Sequence, residues 1–134
     1  MLNIDDVFDV DVLVIGGGGA GGRAVIEADE NGAQTLLIVR GIYGKSGCSI
    51  TAKGGFGIPE GHEATEDSWK QMFYDTLVSG EMMNNQKIIE SHCKEAALSM
   101  RELEYFGAIF DRTPDGKKYY GRQMGGHSYP RAVC

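Results

Sequence analysis

Between residues 11 and 22 the chain reads Asp-Val-Leu-Val-Ile-Gly-Gly-Gly-Gly-Ala-Gly-Gly, which places Gly16, Gly18 and Gly21 in the spacing G-x-G-x-x-G. Residue types in this order do one kind of chemistry well. The first glycine permits a tight turn, the second lets backbone approach a pyrophosphate, and the third lets a helix pack closely on a strand. Free N–H groups and the positive end of the helix dipole then face the phosphates. Gly16, Gly18, Gly19, Ala20 and Gly21 are therefore expected to bind an adenine dinucleotide. A flexible linker fits poorly, because apolar β-formers run directly into the glycines.

The elements around the motif supply the context it needs. A strand is expected over Val10–Ile15 and a helix over Arg23–Glu30, stopped by Asn31-Gly32. Thr35–Val39 is a wholly apolar run, as in a buried parallel strand. Together these make a right-handed β-α-β unit. Residues 41–61, rich in glycine and hydroxyl side chains, look like a long loop extended along a cofactor. Asp67 or Thr65 would cap a helix running to Ser79, with Trp69, Met72, Phe73 and Leu77 on one face. A second helix is expected from Asn85 to Phe106, with Ile88, Ile89, Ala96, Met100 and Leu103 as its apolar stripe and Gly107 as its stop. Ala108–Phe110 reads as a short strand, Thr113–Gly116 as a turn, and Lys117–Tyr120 as a returning hairpin strand.

Composition bounds the function. The 134 residues suffice for one small domain, and a net charge of −6 without a basic patch argues against a nucleic-acid partner. No apolar run approaches the roughly 18 residues of a membrane span, and the acidic N-terminus lacks a signal-peptide pattern. Cys48, Cys93 and Cys134 are too far apart for a zinc site or a disulfide framework, so a cytoplasmic location is the expectation. The chain stops at Arg131-Ala-Val-Cys134 with no helix stop or polar tail, which reads as a fragment of something longer.

In a nicotinamide-type unit an acidic residue about 20 positions beyond the glycines binds the ribose. Arg40 stands at that place. Residue chemistry leaves two readings open: a 2′-phosphate on Arg40, implying NADP, or FAD with its ribose held by backbone and hydroxyl groups.

Further motifs follow in a recognisable order: Ser46-Gly-Cys-Ser-Ile-Thr-Ala-Lys-Gly-Gly55, Trp69 with Tyr74-Asp75-Thr76, Glu102-Leu-Glu-Tyr-Phe-Gly107, then Gly125-Gly-His-Ser128 and Arg131. From about Asp9 to Cys134 the chain resembles the flavoprotein subunit of succinate dehydrogenase and fumarate reductase, with L-aspartate oxidase and adenylylsulfate reductase as relatives. The resemblance implies an α/β fold: a Rossmann-like FAD-binding domain, incomplete, followed by helices and a short β-hairpin. Residues 1–134 would be the N-terminal part of that domain, and the capping and C-terminal helical domains would lie outside it. It also implies FAD rather than NADP. Arg40, Gly41, Ser46, Gly47, Cys48, Ser49, Ala52, Lys53, Gly54 and Gly55 would line the path from adenosine to flavin.

Many family members carry a flavin-linking histidine where this chain has Cys48, so the resemblance implies noncovalent FAD, with a Cys48 thioether as the alternative. Lys53 replaces a usual glutamine and Met124 a frequent phenylalanine. With His127, these are the expected substrate-proximal residues for a C4 dicarboxylate. The family's catalytic acid lies beyond Cys134, and Arg131 is not given that role. The implied partners are an iron–sulfur subunit, with a membrane-anchor subunit, which would hold the protein at the inner face of the membrane. An aspartate oxidase and a truncated noncatalytic FAD-binding fragment are the alternatives.

Other residues are read as structural. His62 is expected in an exposed loop, Cys93 in the core, and Met82-Met83 in packing. His92 and Cys93, adjacent on a helix, make a poor metal pair. Glu102 and Glu104, two apart on a helix, are expected to be solvated.

Overall fold

The computed structural model describes residues 7–52 and 54–134, and the chain divides into two compact units, Met1–Lys53 and Gly54–Cys134. In the first unit, strand β1 (Val12–Ile15) leads through the glycine turn into helix α1 (Gly19–Glu30) and then strand β2 (Thr35–Ile38). β1 and β2 pair in parallel, with Val12 opposite Thr35 and Ile15 opposite Ile38. The expected β-α-β order is therefore present. The helix starts four residues earlier than Arg23, because the glycines themselves form its first turn. It ends as expected: the Gly32 N–H donates to the Asp29 carbonyl and the Ala33 N–H to that of Ala28, which satisfies orphan carbonyls of the last turn. β2 is half-buried, not buried, and Ile38 is 49 % exposed. Among the described residues of this unit one long helix packs on the two strands, and Leu13, Ile15 and Ile38 are left exposed.

The loop expected over 41–61 has structure of its own. It carries a single helical turn, α2 (Cys48–Thr51), and in the second unit strand β3 (Phe56–Gly57). β3 pairs antiparallel with strand β4 (Ala132–Val133), Phe56 opposite Val133 and Gly57 opposite Ala132. Ala108–Phe110 forms no strand. The Asp111 N–H bonds the Cys134 carbonyl, and the apolar pair Ala132-Val133 supplies the strand instead. The Thr113–Gly116 turn closes with the Gly116 N–H on the Thr113 carbonyl at 2.7 Å, and its returning strand shortens to one bridge between Arg112 and Tyr119.

Two helices complete the second unit. Helix α3 (Trp69–Ser79) is capped by Ser68, whose Oγ accepts the Gln71 N–H at 3.3 Å; neither Asp67 nor Thr65 does this. Helix α4 (Gln86–Tyr105) is capped by Asn85, whose Oδ1 accepts from the Lys87 and Ile88 N–H groups. Its buried stripe is Ile89, Cys93, Ala96 and Met100, while Ile88 points to solvent. Ile89 and Cys93 pack on Met72 and Leu77 of α3, with Trp69 and Phe73 beside them, as the sequence pattern requires. A second cluster joins Ile58, Ala96, Met100, Tyr119 and Val133. Met82 and Met83 are exposed rather than packed, and Met82 has φ +60° in the turn that follows α3.

Candidate functional site

In the first unit the chain turns at the carboxyl ends of β1 and β2, where open α/β sheets bind ligands. A groove of about 210 Å³ opens there, lined by Gly16, Gly17 and Gly18 on one side and Val39, Arg40, Gly41, Ile42, Tyr43, Ser46 and Gly47 on the other. Two glycines are irreplaceable for distinct reasons. Gly16 has φ +113°, a conformation L side chains rarely adopt. A Cβ at Gly21 would sit 1.8 Å from the Gly16 carbonyl oxygen, so α1 approaches the turn as closely as it does only because that position is bare. The N-cap of α1 is Gly18, which has no side chain to satisfy the first N–H groups, and the first turn holds no acidic residue. The Gly19 N–H finds the Ser49 hydroxyl at 3.2 Å. The remaining positive helix end suits an anionic group on the groove side.

Of the expected site residues in this unit, Gly16, Gly18, Arg40, Gly41, Ser46 and Gly47 line the groove. Gly16 and Gly18 form its floor; Gly19, Ala20 and Gly21 are the first helical turn. Arg40, Gly41, Ser46 and Gly47 form its wall. Ser46 donates to the Ile42 carbonyl at 3.0 Å, which fixes the wall's curvature. Cys48 opens α2 with an exposed thiol, Ser49 faces the helix end, and Ala52 closes α2. Lys53 lies outside the described residues. Sequence reasoning passed over Val39, Ile42 and Tyr43, the apolar half of the wall. Their signal was position: they follow β2 directly, at the end where the ligand crevice must open.

Gly54, Gly55, Met124 and His127 belong to the second unit. Gly55 packs against β4, where a Cβ would lie 2.8 Å from the Val133 carbonyl oxygen; that contact alone accounts for a glycine there. Met124 is partly exposed, and its carbonyl accepts the His127 N–H at 3.2 Å. His127 is half-buried beside Gly57, and its Nδ1 is enclosed without a hydrogen-bond partner. Burial chiefly, and then the nearby Arg131 cation, holds its pKa below the usual imidazole value against the opposing carboxylates of Asp75 and Asp67.

The most heavily bonded part of this unit was not legible from the sequence. Arg131 is fully buried. Its Nε and Nη2 donate to the two oxygens of Asp67 at 2.7 and 2.6 Å, and its Nη1 donates to Asp75 at 2.7 Å. His62, expected in an exposed loop, is buried with its Nε2 3.1 Å from Asp67. The Ala64 N–H donates to its Nδ1, which leaves Nε2 as the protonated nitrogen facing the carboxylate. Asp75 also accepts the Ser128 N–H and hydroxyl at 2.8 and 2.7 Å and the Gln71 amide at 2.8 Å. Burial alone would raise the Asp75 carboxyl, but these hydrogen bonds outweigh it and hold its pKa below the ordinary range. Cys93 is in the core as expected, and burial pushes its thiol up. Glu104 is not merely solvated: it accepts the Tyr119 hydroxyl at 2.5 Å and pairs with Arg112. Among the described residues no cluster of His, Cys, Asp and Glu is placed to hold a metal, and no helix is long and apolar enough to cross a membrane.

Residues 11–134 match the family described as "FAD binding domain". The chain belongs to this family. It is 36 % identical over 126 residues to one subunit of the fumarate reductase (CoM/CoB) of Methanothermobacter marburgensis, a match covering 94 % of the chain and 23 % of that protein. It is 38 % identical over 118 residues to the mitochondrial succinate dehydrogenase [ubiquinone] flavoprotein subunit of Oryza sativa subsp. japonica, covering 88 % of the chain and 18 % of that protein. Among solved structures, Mycobacterium smegmatis Sdh1 in complex with UQ1 superposes with a TM-score of 0.86 at 45 % identity, over 92 % of this chain and 20 % of that one. The chain thus spans about a fifth of the length of the curated relatives it matches. Its fold is that of an FAD-binding α/β domain in part, and its relatives are flavoprotein subunits of succinate dehydrogenase and fumarate reductase type.

Proposed function

We propose that this chain is the N-terminal, FAD-binding part of a succinate dehydrogenase/fumarate reductase-type flavoprotein. The observation that carries the reading is the groove of the first unit: an α1 N-terminus whose own N-cap, Gly18, has no side chain, opening between the glycine turn and the Arg40–Gly47 wall. The residues fit the group. Backbone N–H groups at Gly18–Ala20 would hold the pyrophosphate, Arg40 and Ser46 the adenosine side, and Ser49 and Ala52 the path toward the flavin. Lys53, Gly54 and Gly55 continue that path in sequence. Bound FAD would supply two-electron redox chemistry, in the whole enzyme the exchange of a hydride with the carbon pair of a C4 dicarboxylate. Met124 and His127 are the residues of the second unit assigned to the substrate side.

Cys48 stands where a histidyl flavin link would be, so the cofactor is held noncovalently. An iron–sulfur subunit, together with a membrane-anchor subunit, completes the partners proposed for the whole protein, on the inner face of the membrane. The first test is the absorption spectrum of purified protein before and after acid precipitation, with ADP and NADP titrated in parallel. Flavin released into the supernatant, and ADP binding without a preference for NADP, are the expected results. Flavin retained on the Cys48 peptide would replace noncovalent with thioether attachment. NADP bound tightly through Arg40, with no flavin, would overturn the proposal.

A further inference from the structure

Strand β3 is paired on one edge only. The backbones of Arg122 and Ala132 exchange hydrogen bonds at 2.8 and 3.2 Å, which turns the N–H and C=O of Ala132 away from β3. Gly57 stands opposite Ala132, so the two form a non-hydrogen-bonded rung, and antiparallel alternation turns the Gly57 N–H and C=O away from β4. The neighbouring rung agrees: the Ile58 N–H donates inward, to the Arg131 carbonyl at 3.0 Å. Among the described residues no third strand pairs with β3. Gly57 instead lines a groove of about 200 Å³, together with Phe56 and Ile58 on its own side and Ala96, Met100 and Leu103 of α4 opposite. Ser99, exposed on α4, lines it too, and Phe56 stays half-exposed although its ring packs edge-on against Phe110.

We propose that the outer edge of β3 and this groove receive an extended, apolar segment of the same polypeptide from beyond residue 134, added to the sheet as a further strand. The inference rests on the reading of this chain as the N-terminal part of a longer flavoprotein. The edge dictates the occupant's chemistry. Gly57 offers one donor and one acceptor to another backbone, and an added strand turns alternate side chains toward Ala96, Met100 and Leu103, where apolar groups fit. A two-residue strand with one partner is marginal on its own, and an open edge pairs with whichever strand reaches it. Length favours a segment of the same molecule: the chain covers 23 % and 18 % of the two relatives described above, so most of such a protein lies outside it. A tethered strand meets the edge at an effective concentration that a separate molecule does not match.

The test uses the full-length protein. Photo-crosslinking from p-benzoylphenylalanine in place of Ser99, mapped by mass spectrometry, identifies what lies in the groove. Hydrogen exchange of the segment around Gly57 reports whether the edge is paired. The expected cross-link joins residue 99 to a peptide from beyond residue 134, on a product that still migrates as a single polypeptide. The Gly57 amide should exchange at least about tenfold more slowly than an unprotected peptide. Ser99→Glu, which puts a charge at the groove, should remove that protection, and Ser99→Ala should keep it; both change an exposed helical position and leave the buried stripe of α4 intact. A Gly57 amide that exchanges at the unprotected rate in the parent overturns the inference. So does a cross-link to a second copy or to another protein. Flavin absorbance on the same samples keeps the two readings apart. FAD bound with an unprotected Gly57 sinks the inference alone. The expected cross-link in a protein that never holds FAD sinks the cofactor reading alone.

Discussion

The two units of this chain hold their chemistry in opposite ways. In the first, the groove is built from backbone: glycines, peptide N–H groups and a helix end, with side chains confined to one wall. In the second, the organising feature is a set of side chains buried away from water, Arg131 between Asp67 and Asp75, with His62, Gln71 and Ser128 completing their bonds. A backbone site depends on what is absent at a position, so single added atoms damage it. A buried ionic site depends on every partner being present, so single deletions damage it. The same size of substitution should therefore have opposite signs of sensitivity in the two halves.

The largest effect expected is from deletion in the second unit. Arg131→Met leaves Asp67 and Asp75 buried without their cation, and breaking a buried pair in this way costs about 3–5 kcal/mol. Urea denaturation of the variant should show a transition shifted far to lower denaturant. A transition within about 0.5 kcal/mol of the parent would mean that the cluster is less buried than its geometry states.

Addition is the corresponding probe in the first unit. Gly21→Ala places a methyl group 1.8 Å from the Gly16 carbonyl oxygen, a clash that only displacement of α1 can relieve. A loss of about 1–3 kcal/mol in stability, as for overpacked sites, is expected together with loss of dinucleotide binding. Gly19→Ala is its control. Nothing lies within 4 Å of a Cβ there and the residue is already helical, so stability should rise by about 0.5–1 kcal/mol. If both substitutions behave alike, the close approach of helix and turn does not define the site.

Acid should weaken the second unit in two steps. His127 titrates below its unfolded value of about 6.5, so the folded state binds fewer protons. Its contribution to stability is intact above that pH and is lost as pH falls through the depressed folded value. Asp75 follows the same sign lower down: its contribution is present above about pH 4 and fades as pH falls through its own lowered value. Thermal melts between pH 3 and 8 should decline in these two steps, and His127→Gln should remove the upper one. A melt profile without an upper step in the parent would show that the imidazole is solvated.

The same contrast explains what could be read from the residues alone. The β-α-β order, the helix stop at Gly32 and the glycine spacing are local, and each leaves its mark within a few positions. Cys93 and Met100 follow from helical periodicity. The Arg131 cluster joins positions 56 and 64 residues apart, and no local pattern distinguishes a buried Asp67 from a capping one or a buried His62 from a loop histidine. The strand at Ala132–Val133 was hidden for the same reason: two residues carry no periodicity, and their partner lies at Phe56–Gly57. The apolar wall at Val39, Ile42 and Tyr43 was closer to legible, since only its distance from the glycine motif kept it out of the expected site.

The smallest effect tests whether hydroxyl caps work alike in both units. Ser68 caps α3 from the adjoining residue, its Oγ meeting the Gln71 N–H. Ser49 serves α1 from 30 residues away, its Oγ meeting the Gly19 N–H at 3.2 Å. Ser68→Ala should cost about 1 kcal/mol, the usual loss for a local N-cap. Ser49→Ala should cost less, about 0.5 kcal/mol, because the exposed Gly19 N–H exchanges serine for water and recovers most of the bond. The distinction sharpens when ADP is present. A phosphate on the α1 N-terminus would replace the lost hydroxyl as an acceptor, so saturating ADP should erase the Ser49→Ala deficit while leaving that of Ser68→Ala untouched. A Ser49→Ala deficit that persists under saturating ADP would mean that the helix end does not receive the phosphate.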